Sequence, residues 1–304
     1  MVIHHLNCIS TCPLCGRLMN GSRHGIFERG SLACHCVLIE TRDSLVLVDT
    51  GFGLRDVADP RSRLSRFFLG LVSPAFREEM TAIRQIERLG YDPRDVRHIV
   101  LSHLDFDHAG GLDDFPEATV HLLETERAYA AAQRTWMDRQ RFRPQQWSTS
   151  GKWRTYPDGG ETWQGFAGVK ALAGLPPSIL LVPLRGHTLG HAGIAIETAH
   201  GWLLNAADAY FDAREMNANP QCHVGLRMYQ WMLEKDRRAR LANQAALRAR
   251  AAPQRRAGVQ QSRSVRVRTA RGSRGGRAGG RARIAARRVR YRYDVRQKNG
   301  ATRV

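Results

Sequence analysis

Short apolar runs ending in polar or glycine-rich turns recur through the first 250 residues of the chain and predict β-strands. They lie at Ala33–Glu40, Ser44–Asp49, His98–Ser102, Thr119–Leu122, Ile179–Val182, Ile194–Glu197 and Trp202–Asn205. Between them the period changes. Arg77–Leu89 places Met80, Ile83, Ile86 and Leu89 at helical spacing and stops at Gly90, as a helix does. Glu124–Arg134 also reads as a helix, and Leu226–Arg250 as one long basic helix with Leu226, Tyr229, Met232 and Leu233 at core spacing. This alternation suits an α/β (α+β) chain with two sheets between helices and functional residues on loops at one edge. Residues 136–168 read as a loop insertion near that edge. Its Trp136, Trp147, Trp153, Trp163 and Phe166 would either wall an apolar substrate pocket or pin a long loop to the body.

Charge divides the chain more sharply than hydropathy does. Residues 251–304 hold 17 of the 47 Lys and Arg but only one acid, Asp294, so +16 of the net +19 lies there. The segment has no Leu, Phe, Trp or Met and cannot bury enough apolar surface to offset chain entropy, so disorder is expected. The expected organisation is therefore a domain over 1–250 and an Arg-rich tail over 251–304. Three readings of the tail stay open: a basic arm for nucleic acid or another polyanion; short strands at 265–268 and 289–293; or a replaced C-terminus translated in a shifted frame. No run is long enough to span a membrane, and the first residues lack a basic segment followed by an apolar stretch, which predicts a cytoplasmic protein.

Candidate chemistry concentrates in Ser102-His103-Leu104-Asp105-Phe106-Asp107-His108-Ala109-Gly110-Gly111, directly after an apolar run. Positions 103, 105 and 107 of an extended segment project to one side, and His108 joins from the turn. Imidazole and carboxylate donors together suit zinc, manganese or iron. So many local ligands suggest two metals rather than one, with a bridging hydroxide as nucleophile. Two later apolar runs end the same way, in Gly186-His187-Thr188-Leu189-Gly190-His191 and in Asp208. Val48-Asp49-Thr50-Gly51 closes an earlier one; Asp49 would either fix a metal-bound imidazole through its other ring nitrogen or cap a turn.

On these motifs, in this order, the chain resembles the metallo-β-lactamase fold superfamily over residues 30 to 215. His4-His5-Leu6-Asn7-Cys8, Arg17-Leu18-Met19-Asn20-Gly21 and Asp208-Ala209-Tyr210-Phe211 resemble more narrowly the bacterial quorum-quenching acyl-homoserine lactonases. The resemblance implies a four-layer αβ/βα sandwich whose C-terminal element is missing or replaced. It implies one metal on His103, Asp105 and His187, a second on Asp107 and His108, and Asp208 bridging the pair. Zinc is the expected ion, with manganese or iron as alternatives. Two departures stand out. Asp105 occupies a position where the family has His, and no His follows His223, so the second site lacks a ligand unless His223 supplies it.

The expected function is hydrolysis of an ester or lactone by a metal-bound hydroxide, with Asp107 holding the nucleophile and passing a proton and Tyr210 as candidate oxyanion donor. Its partner would be a small ester or lactone. Two alternatives remain: a phosphodiesterase or nuclease whose tail is a substrate arm, and a non-catalytic metal-binding product. Cys8, Cys12, Cys15, Cys34 and Cys36 either form a structural zinc site or are reduced thiols, because one C-x2-C, one C-x3-C and one C-x-C are a loose match to zinc spacing.

Overall fold

A computed structural model describes residues 1–21, 28–148 and 151–256. The readings of the Arg-rich tail from 257 onward lie outside the described residues. Two sheets carry the fold, one mixed and one antiparallel. The first runs, in chain order, through β1 (Val2–Asn7), β2 (His35–Glu40), β3 (Leu45–Val48), β4 (Val96–Val100), β5 (Thr119–Leu123) and β6 (Trp153–Tyr156). Its first two junctions are antiparallel and the remaining three parallel. The second contains β7 (Glu161–Trp163), β8 (Phe166–Ala171), β9 (Ile179–Pro183), β10 (Ala192–Thr198) and β11 (Gly201–Asn205), each antiparallel to its neighbour.

Nine α-helices lie among the described residues. They are α1 (Gly16–Asn20), α2 (Leu54–Ala58), α3 (Pro60–Arg63), α4 (Arg66–Val72), α5 (Ala82–Arg88), α6 (Glu124–Ala132), α7 (Trp136–Arg141), α8 (Val224–Leu233) and α9 (Arg237–Arg256). Val37, Ile39, Val46, Val48 and Val100 of the first sheet meet Ile179, Leu181, Ile194 and Ile196 of the second in one buried layer. Each such side chain contributes on the order of 1.5–3 kcal/mol when fully buried. The opposite face of the first sheet packs Leu38, Leu47 and Ile99 against Ile86 of α5 and Ala130 of α6. Val169, Val182 and Ala195 of the second sheet pack with Leu247 of α9. The result is the expected four-layer arrangement, and no helix among the described residues is long and apolar enough to cross a membrane.

Several expectations need correcting. The described part of residues 136–168 is not a single loop: it contains α7, β6, β7 and the start of β8. Their aromatic residues fix them to the body. Trp147 and Trp153 join the core outside the first sheet, while Trp163 and Phe166 pack beside the second. Trp136 stays half exposed and meets Phe67 edge-on. The helix expected at 77–89 starts only at Ala82, because Glu78–Met80 forms a 3-10 turn and Thr81 is extended. β1 was hidden by His4 and His5, which interrupt the apolar pattern of an edge strand.

The long basic helix is two helices. At the break, the backbone N–H groups of Lys235 and Asp236 both donate to the carbonyl of Gly186, at 2.8 and 3.0 Å. Asp236 then caps α9 by accepting from Ala239 N–H at 2.9 Å. Gly186 itself has φ 137°, and a Cβ there would lie 2.5 Å from the backbone nitrogen of Arg240, so only glycine allows this close approach. The break thereby anchors the loop that carries His187.

Candidate metal centre

All the candidate ligands emerge from strand ends on one edge of the two sheets. His103, Asp105, Asp107 and His108 follow β4, His187 follows β9, and Asp208 lies in a 3-10 turn after β11. The sheets are tied together at that edge, where Ala192 N–H at the start of β10 donates to Ser102 carbonyl at 2.9 Å. Glu126, buried on α6, bridges the loops: Leu104 N–H donates to Oε1 at 3.0 Å, while Thr188 Oγ1 and Gly190 N–H donate to Oε2 at 2.6 and 3.0 Å.

Four side chains converge. One donor atom from each of His103, Asp105, His187 and Asp208 lies within 4.8 Å of all the others. His103 Nε2 is 3.2 Å from Asp105 Oδ2 and 3.7 Å from Asp208 Oδ2; His187 Nε2 is 2.9 and 3.4 Å from the same oxygens. Ligands bound tetrahedrally at about 2.0–2.1 Å are separated by roughly 3.3–3.4 Å, so this spacing fits one metal ion. His103 Nε2 is buried with no hydrogen-bond partner, which is the condition of an imidazole facing a cation site. Beside this group, His108 Nε2 is 3.6 Å from Asp208 Oδ2 and 4.0 Å from Asp107 Oδ1. Asp208 therefore lies between the two sets of residues.

A buried relay aims the imidazoles. Asp49 accepts from Ser102 N–H at 2.7 Å and from Ser102 Oγ at 2.7 Å, and its Oδ2 is 3.0 Å from His108 Nδ1. Ser102 Oγ in turn lies 2.8 Å from His103 Nδ1. With both Nδ1 atoms engaged as donors, both Nε2 lone pairs face the centre. Asp49 holds φ 53°, a left-handed conformation that asparagine also tolerates. Asp49→Asn should therefore keep the turn while weakening metal binding about 10- to 100-fold, measured by competition with a chromophoric chelator. Unchanged affinity would leave Asp49 as a turn cap alone.

Electrostatics sort the carboxylates. Asp105 is buried, which opposes its ionisation, yet the Arg141 guanidinium and His103 hold it well below the usual carboxylate range. Burial, with Asp208 and Asp105 nearby, lifts Asp107 to about 6 against the pull of His108. His108 is raised despite its burial by Asp208, Asp49 and Asp107. Burial and the adjacent Arg141 lower His187 to about 4, so it is a neutral donor at neutral pH. The side chains of Asp107 and Asp208 remain 27 % and 25 % exposed, which marks the open side of the centre.

Other candidates fall elsewhere. His191 has both nitrogens engaged, Nδ1 with Leu184 carbonyl at 2.9 Å and Nε2 as acceptor from Asp208 N–H at 3.1 Å, so it positions the Asp208 turn. His223 does not supply the missing ligand; its Nδ1 pairs with Asp212 Oδ2 at 2.9 Å. Tyr210 packs with the cluster outside the second sheet, and burial and Glu215 raise its hydroxyl. Phe211 instead faces His187, at 5.5 Å between ring centroids, and the ring of Tyr229 of α8 lies tilted 5.7 Å from that of Phe211. Among the described residues no cysteine joins a group of three or more metal-capable side chains, so the thiol zinc site is not assembled there. Cys8, Cys34 and Cys36 are buried free thiols.

Two packed sheets with His and Asp donors gathered at their strand ends define a metal-binding αββα class of protein. A family model described as the metallo-beta-lactamase superfamily matches residues 29–246, and the chain belongs to that superfamily. A Mycobacterium tuberculosis protein named "Probable metallo-hydrolase" is 40 % identical over 245 residues, covering 81 % of this chain and 74 % of the relative. An N-acyl homoserine lactonase of Bacillus thuringiensis is 29 % identical over 185 residues, 60 % of this chain and 65 % of that protein. Among solved structures, an N-acyl homoserine lactone hydrolase with N-hexanoyl-L-homoserine at its catalytic metal center superposes with a TM-score of 0.62. It is 21 % identical and covers 83 % of this chain and 89 % of its own.

Proposed function

We propose that the protein is a metal-dependent hydrolase that opens an ester or lactone bond of the acyl-homoserine-lactone kind. The observation that carries this reading is the convergence of four donors on one point with a buried, unpartnered His103 Nε2 among them. The lactonase relatives support the substrate class. His103, Asp105, His187 and Asp208 would hold one ion, and His108 with Asp107 and the shared Asp208 a second. Mixed imidazole and carboxylate donors suit zinc first, with manganese and iron as alternatives. A divalent ion there supplies Lewis acidity, lowering the pKa of water and offsetting charge on a carbonyl oxygen.

The chain's own residues do the rest. Asp107 is on the open side with a carboxyl near 6, suited to accept a proton from water at Oδ1 and return it to a leaving alkoxide. Tyr210 is one candidate oxyanion donor and Tyr229 a second: burial, with Asp107 and Asp105 next in weight, raises the Tyr229 hydroxyl well above the usual range and keeps it a donor. Zinc-reconstituted full-length protein should hydrolyse an acyl lactone in a panel that also holds a thioester and a phosphodiester, followed by pH-stat and chromatography. Turnover of the phosphodiester alone would replace this reading with a phosphodiesterase.

A further inference from the structure

Arg141 is a buried cation that no sequence motif announces. It is the last residue of α7, and the backbone of the next residue, Phe142, forms an isolated antiparallel bridge with Asp105. That bridge sets the two side chains face to face. Arg141 Nε donates to Asp105 Oδ1 at 2.6 Å and Nη2 to Oδ2 at 2.5 Å, a two-pronged pair with both partners buried. Nη1 donates to Leu233 carbonyl at 2.6 Å, and Nη2 also lies 2.9 Å from His187 Nε2. The guanidinium is therefore in contact with two of the four converging residues, through both Asp105 carboxylate oxygens and His187 Nε2.

Charge explains the pairing. The four-donor group contains two carboxylates, Asp105 and Asp208. Two carboxylates this close, one of them buried, are costly without a cation, and one guanidinium cancels one of them. We propose that Asp105 and Arg141 act as a single charge-neutral ligand unit of the metal centre. Arg141 is its positioning residue: it fixes the carboxylate plane so that Oδ2 faces His103 and His187, and it removes the extra negative charge that Asp105 would bring. This inference rests on the metal-binding reading above and adds that the cation of Arg141 sets the strength of the site.

The test uses full-length metal-free protein, with zinc as the probe, and reads zinc affinity together with the rise in melting temperature that zinc produces. Arg141→Met leaves Asp105 without its cation, so zinc should bind at least about tenfold more tightly and raise the melting temperature more than in the unmodified protein. Asp105→His leaves Arg141 unpaired beside the ion, so zinc should bind about 10- to 100-fold more weakly. The double substitution Asp105→His with Arg141→Met restores neutrality, and its affinity should return to within about threefold of the unmodified protein.

A purely structural Arg141, holding only the end of α8 through Leu233, would lower the melting temperature with and without zinc by the same amount. Equal zinc-induced rises in the unmodified protein and Arg141→Met, with no recovery in the double variant, overturn the proposal. Should Arg141→Met fold only when zinc is present, that rescue supports it, and failure to fold with zinc present overturns it. Absence of zinc binding by the unmodified protein would instead remove the metal-binding reading itself.

Discussion

Replacing Asp208 by alanine should reduce lactone hydrolysis more than about 100-fold, beyond the loss usual for a residue that only supports a ligand. Its Oδ2 is 3.7, 3.4 and 3.6 Å from Nε2 of His103, His187 and His108, so one atom serves both halves of the centre. Removing it leaves His103, His187 and His108 around a point where the one remaining carboxylate of the four converging residues, Asp105, is already paired with Arg141. Bound metal should fall in parallel, from about two ions per chain to one or none, by elemental analysis of dialysed protein. The fold should persist, because the side chain is a quarter exposed and the turn is held by Asp208 N–H on His191 rather than by the carboxylate. Asp208→Asn separates charge from shape, since the amide fills the same space without the negative charge and should resemble alanine in metal content. Full activity with unchanged metal in Asp208→Ala would refute the assignment of the centre.

What the sequence revealed and what it hid follow from how local each signal is. The candidate ligands were legible because each closes an apolar run: Val96–Val100 before His103, Ile179–Pro183 before His187, Gly201–Asn205 before Asp208. A strand period of two and a polar residue at its end are readable within a few positions. Arg141 and Glu126 were not legible, because their meaning depends on partners 36 and 62 residues away, Asp105 and Thr188. A clue to Arg141 did exist. Asp105 stands where the family has a neutral imidazole, and a buried carboxylate there calls for a cation from elsewhere in the chain. Strands β6 to β8 were hidden by residues between and within them: Gly159, Gly160, Gln164, Gly165 and Gly168 all have positive φ and break the alternation that marks a strand. Likewise the helix break at 234–236 carries no proline or glycine; it arises from the tertiary grip on Gly186. Tyr229 was not legible as a second candidate beside Tyr210, since α8 reaches Phe211 only through the fold.

The ligand loop also depends on a polar network beneath it, and there the largest stability effect is expected. Arg63, at the end of α3, is 3 % exposed. Its Nε donates to Asp56 Oδ1 at 2.7 Å, and Nη1 donates to Asp113 Oδ2 at 2.8 Å and to Gln145 carbonyl at 2.7 Å. Nη2 reaches Gly110 carbonyl at 3.3 Å, in the Gly-Gly turn that follows His108. Asp56 Oδ2 meanwhile accepts from Gly53 N–H and from Gln146, whose amide also holds Phe106 carbonyl at 2.9 Å. Arg63→Met would keep the volume of the stem but leave the Asp56 carboxylate buried without its cation, at an expected cost of about 3–5 kcal/mol. Burial already raises Asp56 against the pull of Arg63, and it raises Asp114 nearby to about 7, so a further loss of positive charge falls on a site that tolerates ionisation poorly. Urea denaturation of the metal-free protein measures the cost, and the midpoint should drop with little change in slope. Because Gly110 and Phe106 flank the ligands, zinc affinity should weaken as well, separating this variant from one that loses stability at a distance from the loop. A change under about 1 kcal/mol, the size typical of an exposed pair, would show that the buried network does not hold the ligand loop in place.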